Sequence, residues 1–176
     1  MMSEEEEERD LQKEGVVRLT SSLGAILAMA EPITESHSVW VREEGQWCLR
    51  EIIGHLIDAD REIFRSRLEL LLTGSLEQWP CLDPEEWVSD RKYSSRSLRE
   101  LLRLFQDERQ RSLAWLASVE DPDWFQQRDL PDGPLRAGDL LLSWCTHDLL
   151  HLEQIGRWCS VKASNDRKPF SDDFAF

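Results

Sequence analysis

Four stretches of about 20 residues carry apolar side chains at helical spacing, and they leave little chain for any other kind of core. The first runs from Leu11 to Ala30, with Leu19, Leu23, Ile26, Leu27 and Ala30 on one side, and stops before Pro32. The second, Leu49 to Thr73, stops at Gly74. The third opens on Ser97-x-x-Glu100, a capping box in which hydroxyl and carboxylate each satisfy an orphan backbone N–H, and runs on towards Pro122. The fourth covers Ala137 to Cys159. No segment shows a convincing run of strand alternation. Helices that are each apolar on one side bury those sides as an all-α, antiparallel four-helix bundle. The link between the second and third, GSLEQWPCLDPEEWVSDRKYSSR, is expected to lie across one end of it. Trp79, Trp87 and Trp124 fall in the connections, where capping the core is their more usual role and walling a pocket the other.

At 176 residues the chain is expected to be one domain, with residues 1–10 an acidic segment that forms a solvated or frayed start to the first helix. The formal charge is −14, and 35 acidic residues stand against 21 lysines and arginines with no basic cluster. That field repels phosphate backbones, so nucleic acid is excluded as a partner. No apolar stretch approaches the roughly 20 residues of a membrane span and no signal layout opens the chain, so the cytoplasm is the expected compartment. Cys48, Cys81, Cys145 and Cys159 form no CxxC pair and read as free thiols.

The chemistry concentrates in the fourth segment, where THDLLHLEQI sets two of only four histidines four residues apart. At about 100° per residue from Ser143, His147 falls near 40° and His151 near 80°, on the side that holds Leu140, Trp144, Ile155 and Trp158. Both face the bundle, His151 deeper than His147. Side by side on a helix, two imidazoles can chelate one ion, although this spacing alone fits buried, hydrogen-bonded histidines better. His55 sits at the edge of the second helix's apolar arc and can also point inward. His37, in the loop after the first helix, reads as a surface residue. Three inward histidines make a facial set of neutral nitrogen ligands with an open position, suited to zinc or nickel.

Asp148 and Glu51 are candidates to orient these rings, yet each reads more simply as a polar residue at the edge of its helix. Asp60 falls inside an apolar arc, where an unpaired carboxylate is costly. Its simplest partner is Arg67, or else an arginine or tryptophan N–H from a neighbouring helix, and a structural ion pair is preferred to a catalytic role. Cys145 lies near 200° and points away from the histidines.

GQWCLREIIGHLIDADRE resembles the second helix of the DinB-like superfamily, and LLLSWCTHDLLHLEQIGRW resembles its fourth, with HxxxH followed by Gln-Ile. SLRELLRLFQDERQRSLAWLASV and EDPDWFQQR are similar to the third helix and the link after it. The resemblance implies a four-helix bundle, often a homodimer, with a divalent metal on His55, His147 and His151. It also implies kinship with S-transferases and isomerases that use mycothiol, bacillithiol or glutathione. Cys48 departs from the family's usual Ser or Thr, and a neutral replacement is favoured over a reactive thiol. Two readings follow. One is an enzyme whose metal activates a low-molecular-weight thiol or a water against a small-molecule electrophile. The other is a non-catalytic metal-binding stress-response protein or sensor.

Overall fold

The computed structural model describes residues 4–75, 77–79, 83–131, 133–167 and 169–170. Four long helical runs form the bundle: α1 (Glu4–Ala30), α2 (Leu49–Asp58) continued through a π-helical segment (Ala59–Arg65) into α3 (Ser66–Leu72), α5 (Leu98–Ser118) and α6 (Ala137–Asp166). A short α4 (Pro84–Asp90) interrupts the long link. Among the described residues no helix is long and apolar enough to cross a membrane. The acidic residues from Glu4 onward already belong to α1.

Of the consecutive long helices only α2 and α5 pack closely on one another among the described residues. α1 packs chiefly on α5 and α6, and α2 does the same from the opposite corner. Gln12 donates to the carbonyls of Leu116 and Val119, so α1 and α5 run antiparallel. His55 meets His151 while the later Asp60 meets the earlier Trp144, so α2 and α6 also run antiparallel. α2 and α5, by contrast, are parallel: the contacts advance together from Arg50–Ser94 through Asp60–Arg109 to Arg65–Ser112. The link between them must therefore return the length of the bundle, and it does so along α2 instead of crossing one end. Trp79 lies against Arg67, Arg91 and Tyr93 bond to Asp58, and Ser94 bonds to Arg50. Gly54 makes this return close: a Cβ there would sit 2.1 Å from the Tyr93 ring.

The strand content is a correction. β1 (Gln127–Leu130) and β2 (Gly133–Arg136) pair as an antiparallel hairpin before α6. Only Arg128, Leu130 and Leu135 are even half-buried, so the hairpin carries no apolar alternation for a sequence reading to find.

A polar layer divides the core in two. Leu23, Ile26, Ile52, Leu56 and Phe105 belong to one apolar cluster, and Leu19, Phe64, Leu68, Leu116 and Trp144 to the other. Each buried Leu or Ile contributes roughly 1.5–3 kcal/mol. Between them lie Ser22 from α1, Asp60 from the π segment, Arg109 from α5 and Asp148 from α6. Arg109, fully buried, grips Asp60 at 2.7 Å through Nε and Nη2 and Asp148 at 2.5 and 2.9 Å, and also donates to the Leu19 carbonyl. Trp144 Nε1 donates to Asp60 at 2.9 Å, and Ser22 bonds to Asp148. Asp60 thus finds an arginine and a tryptophan N–H from neighbouring helices, not Arg67. Arg67 lies against Trp79 instead, its Nε buried without a hydrogen-bond partner. Asp148 is likewise not at a helix edge but wholly buried in this layer.

Candidate metal centre

The three inward histidines meet where α2 crosses α6. His55 is 6% exposed, while His147 and His151 are both half-buried, so the most buried of the three is the histidine on α2. His147 Nε2 lies 3.1 Å from His55 Nε2 and 3.1 Å from His151 Nε2. Three Zn–N bonds of about 2.0–2.1 Å would set their nitrogens roughly 3.0–3.4 Å apart; the two pairs that include His147 already have that spacing, and all three ligand atoms lie within 4.8 Å of one another. Among the described residues this is a group of three candidate ligands with no carboxylate or thiol in it.

The protonation states reinforce the fit. Burial, followed by the other two histidines, pulls His55 down to about 3; burial, then His151 and Arg109, pulls His147 to about 3. Burial lowers His151 as well, against a Gln154 hydrogen bond that raises it. Neutral imidazole is the ligating form. His151 Nδ1–H donates to Gln154 Oε1 at 2.7 Å, which leaves His151 Nε2 bare. One proton on His147 Nε2 can serve only one of its two neighbours at a time. A cation among the three nitrogens satisfies all of them.

Aromatic neighbours hold the rings. Trp47 lies 5.0 Å from the His55 ring, and Phe64 meets the His147 ring edge-on at 5.0 Å. Phe64 itself stacks on Trp144, whose indole N–H anchors in the polar layer. The π segment carries both Asp60 and Phe64, so the wide turn sits beside the site, a common association for such turns.

Neither expected orienter serves the histidines directly. Glu51 accepts the Cys48 backbone N–H at 2.9 Å, capping α2, and Asp148 is held by Arg109 and Ser22. Gln154 does the orienting; its position three residues after His151, one turn along the same helix, is the signal that could have found it. Cys48 is buried and its thiol pushed up to about 11, first by burial, so helix-terminal activation is absent. Cys145 is buried and likewise raised to about 11. Cys48, Cys145 and Cys159 are free, and Cys81 lies outside the described residues. His37 is exposed, as expected. Trp124 is in the core, Trp79 packs against it, and Trp87 lies under Arg91.

Comparison with known proteins follows the same lines. The DinB superfamily profile matches residues 18–155, a span that contains all three histidines. A solved structure similar to this one is YfiT from Bacillus subtilis, described as a probable metal-dependent hydrolase with an unusual four-helix bundle topology. The two share 19% identity over 91% of this chain and 89% of that one, with a TM-score of 0.73. No curated protein sequence gives a significant match.

Proposed function

This chain belongs to the DinB superfamily, and from that premise we propose that it is a single-domain metalloenzyme acting on a small molecule. His55, His147 and His151 hold one divalent cation, zinc or nickel. The observation that carries the reading is the convergence of three bare or shareable Nε2 atoms, those of His55 and His151 each 3.1 Å from that of His147, in surroundings that keep all three rings neutral. When bound, such an ion lowers the pKa of a water or a low-molecular-weight thiol that reaches it. The chain's own part is to orient His151 through Gln154 and to hold His55 and His147 against the Trp47 and Phe64 rings.

An open site is supported over a closed structural one. Closed zinc sites usually take four protein ligands, and no carboxylate or cysteine joins the three histidines among the described residues. Water is the nucleophile suggested by the description of YfiT; a thiol such as glutathione, bacillithiol or mycothiol is the one suggested by the wider superfamily. The cytoplasm is the compartment in which those thiols are met. A homodimer is supported by Leu142, Leu149 and Leu150 of α6, which are 42%, 57% and 60% exposed.

Metal analysis of the purified protein beside His151→Ala is the first test. One ion per chain in the wild type and none in the variant is expected; a wild type without an ion, or a variant that keeps it, removes the reading. Turnover is then sought with each thiol and a panel of electrophiles, and with water alone on esters and amides. Stoichiometric metal with no turnover in any combination would favour the non-catalytic stress-response or sensor role. Light scattering on the eluting peak gives the oligomeric state.

A further inference from the structure

A cavity of about 650 Å³ opens between the loop after α1 and the second half of α6, within the roughly 300–1,000 Å³ usual for small-molecule sites. It shares a wall with the histidines. Trp47 lines it and touches the His55 ring, and Gln154 lines it and receives the His151 proton. Trp40 and Trp158 add two more aromatic surfaces, held edge to face at 6.0 Å and tied by the Trp158 Nε1 bond to the Trp40 carbonyl.

The charge of this cavity runs against that of the chain. Acids outnumber lysines and arginines 35 to 21 overall, yet the lining contains Arg42 and Arg157 and no acid. Several arginines elsewhere are paired with carboxylates: Arg91 with Asp58 and Glu62, Arg109 with Asp60 and Asp148, Arg136 with Asp139. Arg157 has no carboxylate partner among the described residues, and Arg42 has only a loose one, Glu43 at 3.5 Å with both side chains mostly exposed. The Gln154 oxygen serves His151, and its amide NH₂ has no protein partner among the described residues. An apolar-walled cleft lined by one sign of charge concentrates ligands of the other sign.

We propose that this cavity is the substrate-binding site and that it selects small organic anions, with an aromatic or apolar body on the tryptophans and a carboxylate or phosphate on Arg42 and Arg157. This rests on the metalloenzyme reading, because only an ion on the three histidines gives the shared wall a reactive side. Gln154 then links recognition to the metal, since a ligand that bonds its NH₂ also fixes the oxygen that orients His151.

The test is calorimetric titration of zinc-loaded protein with benzoate, phenyl phosphate and benzamide, the last being a neutral analogue of benzoate. One of the two anions is expected to saturate a single site at least about 10-fold more tightly than benzamide, and which one does so identifies the charged group. Arg157→Gln is expected to weaken that anion by at least about 5-fold and leave benzamide unchanged, and added salt should weaken the anion alone. Benzoate and phenyl phosphate no tighter than benzamide, no saturable binding of either anion, or wild-type anion affinity in Arg157→Gln would overturn the proposal. Zinc content, measured on the same samples, separates the two ideas. Protein that holds zinc without preferring anions loses only the pocket; protein that binds anions without ever holding zinc loses the metalloenzyme.

Discussion

Two groups of buried polar side chains neighbour each other along α6, and they are satisfied in opposite ways. In the layer around Arg109, Nε, both Nη nitrogens, both Asp60 oxygens and both Asp148 oxygens have protein partners. In the histidine group, Nδ1 of His55 and of His147 is buried without a partner, and the Nε2 atoms crowd one another. Both groups are internal and both draw on α2 and α6. The difference separates a cluster finished by the protein itself from one that needs something else to complete it.

The largest effect should come from breaking the completed cluster. Arg109→Met leaves two buried carboxylates without their cation and is expected to cost about 3–5 kcal/mol, read as a drop in the urea midpoint. His55→Leu, in metal-free protein, should leave that midpoint nearly unchanged; equal losses in the two variants would erase the contrast.

Acid should next distinguish the groups. His55 and His147 titrate near 6.5 in the unfolded chain and near 3 in the fold, so between these values the unfolded chain takes up protons that the native chain refuses. Native stability is full above pH 6.5 and falls as pH is lowered, by about 2 kcal/mol per histidine at pH 5. Metal-free protein followed by denaturation at pH 7 and pH 5 should show this, and His55→Leu should flatten the slope. A flat profile would mean the rings are solvated.

Much of the histidine group could be read from sequence because its spacing is local. His147 and His151 lie one turn apart on an apolar face, and His55 needs only a second helix of the same kind. The Arg109 layer could not be read in this way. Asp60 announces that it requires a cation, but the choice among arginines depends on which helices are neighbours. Arg67 is close in sequence, whereas Arg109 lies across a bundle in which α2 and α5 run parallel. That same direction, set by tertiary packing, turns the long link along α2. The Ser97 cap forms as expected, with Ser97 Oγ accepting from the Glu100 N–H, but the Glu100 carboxylate reaches Arg96 instead. The hairpin at 127–136 is too short and too exposed to leave a periodic trace, and the Trp40 and Trp158 walls lie on separate elements.

Smaller perturbations sharpen the contrast within the histidine group. Gln154→Leu removes the acceptor for His151 Nδ1 and is expected to weaken metal binding by about 10–100-fold with little change in the metal-free fold, measured by competition with a chromophoric chelator. Unaltered affinity would mean that the ring needs no orienting partner. The least effect is expected at Cys48. Its buried thiol, raised to about 11, should resist iodoacetamide at pH 8 in native protein, and Cys48→Ser should shift stability by no more than about 1 kcal/mol. Rapid alkylation without unfolding would contradict that burial.

The diagonal placement of α1 and α2 bears on the order in which the protein comes into being. α1 is made before α2, yet its partners α5 and α6 are made after both, so its apolar face waits until they follow. His55 waits in the same way for His147 and His151. The four-helix core and the three-histidine group therefore cannot be completed before α6 has been made and docks, and an ion held by all three histidines can be acquired only after that step.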